Sequence, residues 1–170
     1  MNGHPVYFKT HEGPHIKQGP IKVPTIIIVR DARRVFESLR SFMSIINGIN
    51  ISMIRIIQGR FFWGNWSDWV FDWASNAPDG ALWLRYEDIM ANHDPAIDAI
   101  ANHIGIDPIS RKIPEFSDLK KGTPNIFRKA SMVGNGGMSE SEEEAFWRKH
   151  GEAMAFLGYD RDQDQRVASR

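Results

Sequence analysis

The chain has 170 residues, 42% of them apolar and 25% charged, which suits one globular domain, so disorder is not the default. Lysine and arginine total 21 against 21 acidic residues, so the net charge is zero. That speaks against a broad nucleic-acid surface while leaving room for a local basic pocket. The absence of cysteine excludes disulfides and thiolate metal sites.

Met1-Asn2-Gly3-His4-Pro5 lacks the basic-then-apolar pattern of a signal peptide. Apolar runs such as Ile26 to Val29 and Ala153 to Leu157 fall far short of the ~20 residues that cross a bilayer. A soluble cytoplasmic protein without a membrane span is the expectation. Val6-Tyr7-Phe8 is short and β-prone, ending at Lys9-Thr10-His11, and the Pro- and Gly-rich Glu12 to Pro24 reads as loop. Thr25-Ile26-Ile27-Ile28-Val29 is β-branched without alternation, which predicts a strand buried on both faces. Arg30 and Asp31 follow directly, Asp31 as N-cap of a helix with Val35, Leu39 and Phe42 on one side. Strand, tight turn and helix form half of a βαβ unit.

Ser44 to Phe62 is apolar and broken by Gly48 and Gly59, and its pattern fits no single element. Trp63, Trp66, Trp69 and Trp73 have helical spacing, and Pro78-Asp79-Gly80 predicts a turn. Ala81 to Tyr86 reads as a second strand ending in an acidic turn, Glu87-Asp88. A helix is expected from near Pro95 to Gly105, carrying Ile97, Ile100, Ala101 and Ile104. After a loop-rich stretch from Asp107 to Gly137, Ser139 and Glu142 form a capping box. The helix it opens holds Phe146, Trp147, Met154 and Leu157, and Gly158 closes it. The pattern is that of one α/β domain.

Several residues can carry chemistry. In Lys9-Thr10-His11, a histidine near a lysine can act as base while the lysine stabilises an anion; a surface histidine is the plain alternative. His11 and His15 are four apart, but the intervening Gly13 and Pro14 oppose the helix that would make them a metal pair. Arg30 ends a buried strand, where parallel sheets bind ligands, and suits phosphate; a surface pair with Asp31 or Glu37 competes with that reading. Arg128-Lys129 and the run Gly134-Asn135-Gly136-Gly137 precede a capped helix, as phosphate-cradling loops do and as flexible connections also do. No Walker A sequence is present. The tryptophan row reads as core before stacking platform, and Glu87-Asp88 as a solvated turn or cap before a metal site.

In chain order, these segments resemble the cytosolic and bacterial sulfotransferases that use 3′-phosphoadenosine 5′-phosphosulfate (PAPS). The matching stretches are Phe8-Lys9-Thr10-His11, Ile28 through Ser38, Trp66 to Trp73, Leu84-Arg85-Tyr86-Glu87-Asp88, Phe127-Arg128-Lys129, and His150-Gly151 through Tyr159. The resemblance implies a parallel sheet flanked by helices, the P-loop-NTPase-like sulfotransferase fold, over residues 1–159, with 160–170 a polar tail. It implies sulfuryl transfer from PAPS to a hydroxyl or amine of a small-molecule acceptor, without a metal and without nucleic acid. His11 would be the general base and Lys9 a neutralising charge near the phosphosulfate. Arg30 and Ser38 would bind the 3′-phosphate, Tyr86 would lie at the adenine side, and Arg128 with Lys129 would close over the 3′-phosphate.

The sequence also departs from the family pattern. The family's first strand and its lysine-bearing phosphosulfate loop precede Lys-Thr-His, whereas only Met1 to Pro5 precede the first matching strand here. The resemblance therefore implies an N-terminally truncated fold whose exposed sheet edge a partner chain or a second copy would cover. A non-catalytic nucleotide-binding or scaffold module is the competing function. Ala130 follows Lys129 where glycine is usual, Gly134 sits one residue late, and Gly136 takes the place of a tryptophan. Trp69 stands where histidine is frequent, and Pro114-Glu115-Phe116 replaces a stretch that usually holds Ser or Thr.

Overall fold

The computed structural model describes residues 8–14, 23–60, 64–115, 117–118 and 136–161. Two strands, β1 (Ile26–Val29) and β2 (Leu82–Arg85), pair in parallel with Ile26 opposite Leu82 and Val29 opposite Arg85. A parallel pair needs a long crossover. Here it consists of α1 (Ala32–Asn47), α2 (Met53–Ile57) and α3 (Trp66–Asn76). After β2 come α4 (Tyr86–Ala91), α5 (His93–Ile104) and α6 (Glu140–Phe156). This is the α/β architecture the sequence predicts.

β1 corrects one expectation. Ile27 and Val29 are buried, but Ile28 is 54% exposed, so the strand alternates and is covered on one face only. Its covered face packs with Trp73 and Trp69 of α3, Trp83 of β2 and Leu157. Phe8 is exposed and belongs to no strand; Val6 and Tyr7 lie outside the described residues.

α1 begins as predicted, with Asp31 accepting a hydrogen bond from the Arg33 N–H at 2.9 Å. Its buried stripe is Ala32, Phe36 and Met43, with Val35 and Leu39 beside it, while Phe42 faces outward. The described part of the Ser44–Phe62 stretch, residues 44–60, holds the end of α1, a left-handed cap at Gly48, and the one-and-a-half-turn α2. The side chains of Met53, Ile56 and Ile57 on α2 enter the main core with Phe146, Met154 and Tyr159 from the end of the chain. Each such side chain contributes roughly 1.5–3 kcal/mol by leaving water.

Pro78 to Ala81 forms the predicted turn, closed by the Ala81 N–H on the Pro78 carbonyl. Tyr86 opens α4 instead of ending the strand, so Glu87 and Asp88 sit in that helix's first turn. α5 starts two residues before Pro95 because Asn92 caps it, and Pro95 is tolerated in the first turn where its missing N–H costs no helical bond. Gly105 ends α5 in the left-handed region. Both halves of the Ser139–Glu142 capping box are formed at the start of α6.

His150 of α6 sits at the centre of the main core. Its Nε2–H donates to the Ile57 carbonyl at 2.9 Å, and Nδ1 lies 2.7 Å from Ser67 Oγ, whose hydroxyl donates to it. One imidazole thus ties α6 to both α2 and α3. The rings of Phe36 and Phe146 lie against it at 5.3 Å.

Candidate active site

The two parallel strands deliver their carboxyl ends side by side, and the register sets what meets there. Val29 faces Arg85, so the next residues, Arg30 and Tyr86, are also neighbours. The Arg30 guanidinium carbon lies 4.6 Å from the centre of the Tyr86 ring, a cation–π contact between two partly buried side chains. Among the described candidate residues named from sequence, this is the pair that the fold brings together.

The turn that carries Arg30 is fixed from several sides. The Asp31 carboxylate caps α1 and also takes the Arg33 side chain, with Nη2 to Oδ2 at 2.6 Å and Nε to both oxygens at 3.1 Å. Arg33 is 1% exposed, and its guanidinium lies over Trp147 of α6. A buried charge is tolerated when paired and hydrogen-bonded, as here. Glu37 is engaged by Arg34 at 3.2 Å. The two carboxylates that competed for Arg30 in the sequence therefore each hold a different arginine.

Gly136 closes the same turn from the other side. Its φ of +73° suits glycine, and a Cβ on it would lie 2.4 Å from the Arg33 carbonyl oxygen. The segment leading into α6 thus leaves its loop against the first turn of α1. Arg128 and Lys129 lie outside the described residues, as do Phe127, Gly134 and Asn135.

Ser38 is on α1, exposed, two turns beyond Arg30. Lys9 and His11 are exposed in the segment 8–14. That segment is held by Trp73, whose Nε1–H donates to the Glu12 carbonyl at 3.2 Å, and by a local bond from the Glu12 N–H to Thr10 Oγ1. Trp73 is therefore core, as its spacing suggests, and also an anchor for the Lys-Thr-His stretch. Neighbouring Trp69 has a buried indole N–H with no partner among the described residues. His15 and Trp63 fall outside them.

Glu87 is the residue that sequence reading misjudged. It is neither a solvated cap nor part of an acidic metal cluster. One carboxylate oxygen accepts the Asp31 backbone N–H at 3.2 Å, and the other accepts the Tyr159 hydroxyl at 2.6 Å. Burial, and then the adjoining carboxylate, push the Tyr159 phenol well above its ordinary value. Among the described residues no group of three or more His, Asp or Glu could hold a metal ion.

A model of the sulfotransferase domain matches residues 2–152. The chain belongs to the sulfotransferase family. Its fold is that of a solved family member, mouse sulfotransferase SULT7A1 complexed with PAP, with a TM-score of 0.66 at 19% identity. The match covers 87% of this chain and 64% of that one, so this chain spans somewhat less than two thirds of the length of the mouse chain. No curated protein sequence matches it. Among the described residues, no helix is long and apolar enough to cross a membrane.

The donor set fits the 3′-phosphonucleotide end of PAPS. An arginine and an aromatic ring share the carboxyl end of a parallel sheet, the place where such sheets bind nucleotides. An exposed hydroxyl follows on the adjoining helix.

Proposed function

We propose that this chain binds PAPS by its 3′-phosphate and directs sulfuryl transfer to the hydroxyl or amine of a small molecule. The observation that carries this reading is Arg30 held over Tyr86 where the two parallel strands end. Arg30 and Ser38 hold the 3′-phosphate, Arg128 and Lys129 add charge to it, and the Tyr86 ring lies beside the adenine. When bound, PAPS supplies the activated sulfuryl group.

The remaining chemistry is proton handling and charge. His11 takes the proton from the acceptor as its oxygen or nitrogen attacks, and a base so placed contributes about 10²–10⁴ in rate. The Lys9 ammonium, two residues away, offsets the charge on the phosphosulfate. Sulfuryl transfer shares with phosphoryl transfer an in-line displacement with charge spread over equatorial oxygens, so positioning supplies most of the catalysis. Both residues are exposed on a segment tethered through Glu12 to Trp73, which supports an acceptor-facing role.

Calorimetric titration with 3′-phosphoadenosine 5′-phosphate (PAP), beside AMP, tests the reading. A charge-assisted hydrogen bond to the 3′-phosphate is worth about 1.5–3 kcal/mol, so Arg30→Ala should weaken PAP about 10- to 100-fold. AMP should bind far more weakly than PAP and change little in the variant. If the folded chain takes up no PAP, the nucleotide site is absent and a scaffold role replaces the enzyme.

A further inference from the structure

The ladder between β1 and β2 ends with Val29 opposite Arg85. Two residues further on, a side chain joins the two segments: the Asp31 N–H donates to Glu87 Oε1 at 3.2 Å. Between the last ladder pair and this bond sits the Arg30–Tyr86 contact. Arg30 and Tyr86 are thus bracketed by hydrogen bonds on both sides along the chain.

Glu87 does not act alone. Its other oxygen takes the Tyr159 hydroxyl at 2.6 Å, and Tyr159 is 2% exposed. The Tyr159 ring lies under the Arg85 guanidinium at 4.2 Å, and Arg85 also donates through Nη1 to the Gly158 carbonyl at 3.2 Å. Residues 158–159, just past α6, are therefore fastened to the residues flanking Tyr86.

We infer that Glu87 is the positioning residue of the nucleotide site, holding the turn at Asp31 so that Arg30 and Tyr86 keep their relative placement, with Tyr159 holding Glu87 in turn. The inference rests on the nucleotide reading above. A carboxylate accepting bonds from two different elements, one of them short, has little rotameric freedom, and a charge-assisted bond is about twice as strong as a neutral one. Losing it leaves the Asp31 N–H without its acceptor and lets the turn shift, which misplaces Arg30 relative to a bound phosphate.

The test compares PAP and AMP affinities by calorimetry, well below each variant's melting temperature, for wild type, Glu87→Ala, Glu87→Gln and Tyr159→Phe. Asp88→Ala is the control, since it removes a carboxylate from the same helical turn without touching the bracket. The PAP-to-AMP affinity ratio should fall about 10-fold in Glu87→Ala and about 3-fold in Tyr159→Phe. Glutamine retains an acceptor for Asp31 and an amide that Tyr159 can meet, so Glu87→Gln should restore the ratio to within about 2-fold of wild type.

A purely structural glutamate would lower the melting temperature and leave the ratio of the folded protein unchanged; that result overturns the assignment. Should Glu87→Ala not fold, Tyr159→Phe decides alone, because it keeps the ring beneath Arg85 and removes only the hydroxyl. Wild type that binds PAP with no change of ratio in Tyr159→Phe then refutes the bracket. Wild type that fails to bind PAP refutes the nucleotide site itself, and the bracket's role with it.

Discussion

Arg30 and Tyr86 face each other one residue past the last rung of the sheet, with the guanidinium carbon 4.6 Å from the ring centre. The contact needs a ring but not its hydroxyl. Such contacts are worth about 0.5–2 kcal/mol, more as water is excluded. Tyr86→Phe should therefore keep PAP affinity within about 2-fold, and Tyr86→Ala should lose about 3- to 30-fold by calorimetry. Equal affinities in the two variants would separate the ring from nucleotide binding.

His150 makes stability depend on pH. Burial is the main cause that takes its imidazole from the ordinary 6.5 down to about 4. An unfolded chain takes up this proton near pH 6.5, whereas the folded one resists until about pH 4. The stabilisation is whole above pH 6.5 and is lost as the pH falls toward 4, a change of about 3 kcal/mol. Glutamine can replace both hydrogen bonds without titrating. In urea unfolding, the stability gap between wild type and His150→Gln should narrow by about 2–3 kcal/mol between pH 7 and pH 4.5. A gap independent of pH would mean that the imidazole is not the linked group.

How much of this was legible in the sequence depended on how local the cause was. The Asp31 and Ser139 caps, the Pro78-Asp79-Gly80 turn and the Gly105 and Gly158 stops are decided within four residues, and all are formed. The run of isoleucines in β1 says only that the strand is apolar. That Ile28 faces outward depends on what packs where, which no local pattern encodes. The α2 turn is five residues long and takes its order from contact with α1 and α6. In the site, Arg30 and Tyr86 were visible as strand-end residues. Glu87 looked like a surface acid because its two partners, Asp31 and Tyr159, are 56 and 72 residues away in sequence.

Gly136 and Gly105 separate backbone strain from steric clash. Both adopt positive φ, +73° and +68°, but a Cβ at Gly105 meets nothing within 4 Å, whereas at Gly136 it meets the Arg33 carbonyl at 2.4 Å. Gly105→Ala should cost about 1–2 kcal/mol, the price of left-handed geometry alone. Gly136→Ala adds a backbone clash at the turn behind Arg30 and should cost at least about 1 kcal/mol more in denaturant unfolding. Similar losses at the two positions would show that Gly136 is not packed on α1.

The proposed roles put His11 and the nucleotide residues in different steps, and one substitution should divide them. His11 is exposed on the segment tethered to Trp73, while Arg30 and Tyr86 stand at the strand ends. If His11 removes the acceptor proton, His11→Ala should lower sulfur transfer from labelled PAPS to a panel of phenols and amines by about 10²–10⁴. PAP affinity should stay within a few-fold, because the proposal gives the imidazole no part in 3′-phosphate binding. A variant that transfers as fast as wild type removes His11 from the reaction. One that loses PAP binding as well would move His11 into the nucleotide site and leave Lys9 as the charge nearest the acceptor.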